Sequence, residues 1–204
     1  MMSRSYVMLR THPDDESVFE AMYPVLNELA LRHGLAFRYG SVEQPAEDMV
    51  RHVYHEQSSR AELSLVNDWR AQAQYITVEA ADANLAQAIA STVAERLPSW
   101  TLDALRADAE MRMDEEPEAL VRLALAAGEH AEPEVAALIE RAAAAEDDLI
   151  RFRAAEAAAI TGWPRFADVF RPLAAGDSSP EVREMAGHAV AAATRTGAFG
   201  RGGV

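Results

Sequence analysis

There is no cysteine and no lysine in this sequence. Without cysteine there are no disulfides and no thiolate-bound zinc, so any metal would fall to histidine and carboxylate ligands. Without lysine, all 19 basic residues are arginine, which reads first as GC-rich coding bias and only second as a preference for forked contacts with carboxylates. Long apolar runs are missing too. None approaches the roughly 18 to 20 residues of a membrane span, and the opening MMSRSYVMLRTH lacks the apolar stretch of a secretory signal. A cytoplasmic protein with no membrane partner is the expectation. Apart from Gly202-Gly203 the glycines are scattered singly, leaving no phosphate-cradling loop, and no serine stands in a G-x-S-x-G elbow.

Positive charge is scarce as well. The formal net charge is −14, with 8 arginines against 14 acids in residues 1–100 and 11 against 19 in residues 101–204. Both halves would repel a phosphate backbone, which disfavours nucleic acid as a partner and a helical-repeat DNA glycosylase as a function. The same charge would speed association with a basic protein. Half of the residues are apolar, enough for a sizeable core. A change of pattern near residue 100 favours two domains over one: residues 1–98, residues 99–196, and a frayed tail at 197–204.

The first domain reads as α+β. Ser5 to Thr11 is a strand, and HPDDE then switches the period to a helix with Val18, Met22, Val25, Leu26 and Leu29 on one face and Gly34 as its stop. Leu35 to Val42 alternates as a second strand that Gln44-Pro45 breaks. Residues 46–57 are ambiguous between a helix started by Pro45, Glu47 and Asp48 and a strand over 50–57 that turns at Ser58-Ser59; the strand is taken here. Ala61 to Asn67 and Gln72 to Ala80 are strands joined at Asp68-Trp69-Arg70. Asp82 caps a helix that Pro98 ends. Helices on one face of a mainly antiparallel sheet close such a pattern. Trp69, Trp100 and Trp163 each stand near an element boundary, where a large ring covers a core edge.

After Thr101 the strands stop. A linking helix with Leu102, Leu105, Ala109 and Met113 precedes five helical segments: Pro117–Ala127, Pro133–Ala145, Asp147–Thr161, Pro164–Ala174 and Pro180–Thr194. Proline near their starts and Gly128, Gly162 and Gly176 near their ends punctuate them. Their alanines combine high helix propensity with close helix approach.

The segment DDLIRFRAAEAAAITGW, residues 147–163, and SPEVREMAGHA, residues 179–189, share one grammar: a turn, then Ile150-Arg151 or Val182-Arg183, then small residues. Ile150 and Val182 are 32 residues apart, within the range of helical-repeat periods. Residues 115–195 resemble HEAT repeats, especially the short bacterial kind, with Asp147–Trp163 as a second helix. The resemblance implies that Asp147, Arg151 and Arg183 form a structural ladder, so that Arg151→Ala should lower stability. It also implies that second helices line a protein-binding face. Exposed charges on those helices are then the partner-binding candidates: Arg122, Arg153, Glu156, Glu184 and His188. Arg153→Ala is expected to leave the fold intact.

A second resemblance lies in THPDDE, which is similar to the HPDDE motif of the zinc-dependent LmbE/PIG-L deacetylases. It implies His12 and Asp15 as metal ligands and Asp14 as the general base. The motif's usual glycines are replaced by Ser17-Val18-Phe19-Glu20-Ala21, and the third histidine would have to be His52 or His55, which point to opposite faces of a strand. A structural reading accounts for the same letters: Pro13 at the first helical position, with Asp14, Asp15 and Glu16 at the positive end of the helix dipole.

The expectation is a small α+β domain followed by an all-α HEAT-like array. Its function would be non-catalytic binding of a protein partner, without cofactor, either as an immunity-type inhibitor of a basic protein or as an accessory subunit of a biosynthetic enzyme. A small metal-dependent hydrolase built on HPDDE is the alternative.

Overall fold

The computed structural model describes residues 3–128 and 131–199, in two units, Met1–Thr101 and Leu102–Val204. In the first unit the alternating runs become five strands: β1 (Ser3–Met8), β2 (Phe37–Ala46), β3 (Met49–Glu56), β4 (Glu62–Asp68) and β5 (Ala73–Ala80). They form one antiparallel sheet in the order β1-β5-β4-β3-β2. The period of two explains which residues meet the helices. Leu63 stands opposite Val78 and Leu65 opposite Ile76, so four apolar side chains share one face.

Two helices cover that face. From α1 (Ser17–His33) come Val18, Met22, Val25 and Leu29, and from α2 (Ala83–Arg96) come Ile89 and Val93, all in one core with the sheet residues. Each such side chain contributes about 1.5–3 kcal/mol when fully buried. Gly34 ends α1 in the left-handed region at φ 69°, a conformation that costs a residue with Cβ. The Asp82 carboxylate accepts from the backbone N–H of Asn84 and Leu85 and starts α2.

Two local expectations fail for physical reasons. β2 does not stop at Gln44-Pro45 but runs to Ala46. As the outermost strand it bonds only to β3 on one side, so a missing N–H is tolerated, and the register shifts between Glu43 and Ala46 absorb the ring. Nor does Pro13 begin α1. The helix starts at Ser17 with Glu16 as its cap, and HPDDE forms the turns before it. The ambiguous stretch holds a strand rather than a helix: Glu47-Asp48 is a turn and β3 runs from Met49 to Glu56, with Val53 and Tyr54 buried.

The turn from β3 to β4 is built around one carboxylate. Glu56 is buried and accepts from the backbone N–H and the hydroxyl of both Ser58 and Ser59. Those donors, Ser59 foremost, hold its pKa down to about 2 from an ordinary 4.5. A carboxyl with a depressed folded pKa stabilises the fold above its unfolded value, and that contribution is lost as pH falls from 4.5 toward 2. Urea midpoints measured across that range should fall, and Glu56→Gln should flatten part of the slope. An identical slope in the variant would remove Glu56 from the explanation.

The second unit is all helix: α3 (Leu102–Arg112), α4 (Glu118–Ala127), α5 (Pro133–Ala143), α6 (Asp148–Thr161), α7 (Phe166–Gly176) and α8 (Pro180–Phe199). Contacts pair α3 with α4, α5 with α6 and α7 with α8, while α4, α6 and α8 also stack on one another in succession. Alanine explains the close stacking: Ala154, Ala155, Ala157 and Ala158 of α6 and Ala186, Ala189 and Ala193 of α8 are all buried. A wedge of Trp163, Phe166 and Phe170, with ring centroids 5.6 and 5.9 Å apart, fills the space beneath α7. Helix α8 extends through Phe199, past the expected start of a tail at 197, and residues 200–204 lie outside the described residues.

Candidate functional site

Arginine crosses each junction of the stacked helices. Arg122 of α4 reaches back to Asp108 of α3 at 3.3 Å and to Glu116 at 2.8 Å. Arg153 of α6 reaches back to Glu118 of α4 at 3.1 Å and pairs with Glu156 at 2.7 Å. Arg151 of α6 reaches forward to the loop before α8, where Nε and Nη2 donate to the two Asp177 carboxylate oxygens at 2.8 and 2.9 Å. Its Nη1 donates to the carbonyls of Ala145 and Glu146. The pair holds the Asp177 carboxyl below its usual range, Arg151 being the largest cause. Arg183 repeats the arrangement with the carbonyls of Asp177 and Ser178. Asp147 caps α6 through the N–H of Leu149 and Ile150. Arg151 and Arg183, expected to be architectural, thus direct these donors to groups within the helical unit.

Three of the five partner-binding candidates are not on a free surface. Arg122 is 8% exposed and Glu156 is 3% exposed, and Arg153 is tied on both sides. The sequence suggested a solvated helix face because these residues are charged. A charge is nonetheless stable inside when a partner meets it with hydrogen-bond geometry. A signal for this was available: Glu156 stands amid Ala154, Ala155, Ala157 and Ala158, a stretch with no polar stripe, and a helix lacking one is buried all round. Glu184 and His188 are exposed, one turn apart on the outer side of α8.

Beside them lies a cleft that sequence reasoning missed. The first turns of α6 and α8 enclose about 260 Å³ lined by Asp148, Leu149, Phe152, Ser179 and Glu181. Its floor is apolar, with Leu149 48% exposed and the Phe152 ring 5.5 Å from the Arg153 guanidinium. Its rim is anionic, through the exposed Asp148 and Glu181. Chemically it suits an apolar side chain carried by a cationic segment.

The HPDDE residues are committed elsewhere. His12 Nε2 lies 2.9 Å from Gln72 Oε1 and its Nδ1 lies 3.3 Å from Asp14. Asp14 also accepts from Trp69 Nε1 at 2.9 Å, and Asp15 is held below its usual range by Ser17, through the hydroxyl first and the backbone N–H second. His52 sits edge-on to Phe19 at 4.6 Å, and His55 faces Glu62 at 3.4 Å. Among the described residues no group of three or more His, Asp or Glu side chains is placed to hold a metal ion. The set His12, Asp14 and Asp15 therefore does not fit a zinc-dependent deacetylase centre, and it serves to fasten the turn before α1 to the turn between β4 and β5. Among the described residues no helix is long and apolar enough to cross a membrane.

No curated protein matches the chain. A family model described as HEAT repeats matches residues 109–191, from the last turn of α3 into α8. The paired helices, the stacked second helices and the arginine ties between them agree with that match, and the second unit is a HEAT-repeat-like helical region.

Proposed function

We propose that the chain is a non-catalytic protein-interaction module whose HEAT-like array takes a basic protein partner at the cleft between α6 and α8. The observation that carries this reading is the pairing of an apolar floor, the exposed Leu149 and the half-buried Phe152, with an anionic rim, Asp148 and Glu181. Stacked helical repeats in general offer extended binding surfaces. The net charge of −14 favours a cationic partner through faster encounter, and Glu184 and His188 extend the same helix outward. An inhibitor that covers a basic enzyme and an accessory subunit that steadies a biosynthetic enzyme are the two forms of this function. They differ in what the partner does once it is bound.

The test uses the full chain as bait at low salt, beside a Leu149→Arg/Glu181→Arg variant. Wild type should recover a stoichiometric basic protein, with affinity falling as salt rises. The variant should bind it at least about tenfold more weakly, as expected when an interface centre is made repulsive. Equal recovery by both proteins, or no stoichiometric partner for either, would overturn the proposal.

A further inference from the structure

The outer edge of the sheet carries a pattern that is complementary to itself. β2 is the terminal strand, and all of its residues from Arg38 to Ala46 except Ser41 are exposed. Within it, Arg38-Tyr39-Gly40-Ser41-Val42-Glu43 reads cation, apolar, two small residues, apolar, anion. Turned through a two-fold axis between Gly40 and Ser41, the strand would place Arg38 opposite Glu43 and Tyr39 opposite Val42, each pair twice. An interface between two copies has that property, since residue i meets j and j meets i.

The sheet's own rows show why the match is more than a coincidence of letters. On the face away from the helices, Glu62, His55 and Arg38 are consecutive cross-strand neighbours, and Glu43 is the neighbour of Arg51. Joining two copies at the axis makes one row: Glu62, His55, Arg38, then Glu43 and Arg51 of the second copy. On the helix face, Leu65, His52 and Val42 form one row and Leu63, Tyr54 and Tyr39 another. The same axis joins Val42 of one copy to Tyr39 of the other, so the apolar end of one row meets the apolar end of the next.

Exposure points the same way. Tyr39 is 55% and Val42 54% exposed, large apolar side chains at the ends of rows in which Tyr54, Leu63 and Leu65 are buried. Phe19 of α1 touches His52 edge-on, and Tyr23, one turn further along α1, is also exposed, so the apolar surface continues from the strand edge onto the helix. An open edge of this kind is usually blunted. Here the register shift at Gly40 falls on the axis, where both copies carry it, and the shift before Ala46 together with Pro45 limits the pairing to the six central residues. Gly40 has its own reason to be glycine: a Cβ there would lie 2.4 Å from the His55 ring.

We infer that β2 is a homodimerisation edge, at which two copies of this chain pair antiparallel about Gly40-Ser41 and extend the five-stranded sheet across the axis. A six-residue strand edge is small against a standard interface, so the dimer forms in the micromolar range and depends on its charge pairs. The test is sedimentation equilibrium of the full chain from about 1 to several hundred µM, with circular dichroism to verify each fold. Wild type should pass from monomer to dimer over that range.

Arg38→Glu alone and Glu43→Arg alone each place like charges across the axis twice and should weaken dimerisation at least about tenfold. The double variant R38E/E43R restores opposite charges and should recover most of the wild-type constant, which loss of the Glu43–Arg51 contact could not explain. A wild type that stays monomeric throughout, a dimer indifferent to both single changes, or a double variant no better than the singles would each overturn the inference.

Discussion

Replacing Arg153 by alanine is expected to lower the stability of the helical unit by about 3 kcal/mol, near the low end for removing one member of a buried ion pair. The guanidinium bridges Glu118 on α4 and Glu156 on α6, and the Glu156 carboxylate it leaves behind is only 3% exposed. Loss of attraction is the smaller part of the effect. Without its cation the desolvation of that buried carboxylate is less fully offset, at a cost on the order of several kcal/mol. Neutralising the acid should therefore help: Arg153→Ala/Glu156→Gln should be more stable than Arg153→Ala alone, although it has lost both charges. Urea titrations of wild type, Arg153→Ala, Glu156→Gln and the double variant complete the cycle and isolate the coupling between the two side chains. A wild-type midpoint for Arg153→Ala would return Arg153 to the exposed, partner-facing role suggested by its charge.

Helix punctuation was legible because its causes are local. Asp82 and Asp147 cap helices through N–H groups two and three residues on, Gly34 and Gly162 end them in the left-handed region, and Pro133 begins one. The strand pattern was legible for the same reason, since alternation alone separates Leu63 and Leu65 from their outward neighbours. Pro45 misled because its effect depends on whether the strand has a neighbour on both sides, and strand order is not a local property. The HPDDE turn misled similarly: the groups that hold His12 and Asp14, Gln72 and Trp69, lie more than fifty residues away.

The candidate site was less legible than the fold. Charged letters on α6 suggested a surface, whereas the cleft proposed as the binding site is built on an exposed leucine two residues after a capping aspartate. The repeat grammar marks Ile150, which is buried, and leaves Leu149 outside it without showing what Leu149 faces. Only the seating of α8 against α6, with Glu181 across from Asp148, turns that leucine into part of a cleft. The β2 edge was hidden for a related reason. Its six letters acquire meaning once the strand is known to be outermost, because only then do Arg38 and Glu43 lack a neighbour on one side.

Arg151→Ala should also cost about 3 kcal/mol, and here the geometry predicts that lysine cannot substitute. Nε and Nη2 meet both Asp177 oxygens in a two-pronged contact while Nη1 reaches the Ala145 and Glu146 carbonyls. One planar group thus ties the end of the α5–α6 connection to the loop that launches α8. An ammonium is a single point and can satisfy one of those sites well, so Arg151→Lys should recover less than half of the alanine loss. The Asp177 carboxyl, held low chiefly by Arg151 and also by the Ser179 N–H, should titrate closer to its ordinary range in both variants. Stability contributed by that depression is present above the unfolded pKa and disappears as the solution is acidified, so wild type and Arg151→Ala should converge at low pH. Denaturation midpoints at neutral and acid pH read both effects. Full recovery by lysine would mean that charge alone holds the junction, and a gap unchanged by acid would mean that Asp177 is not what Arg151 stabilises.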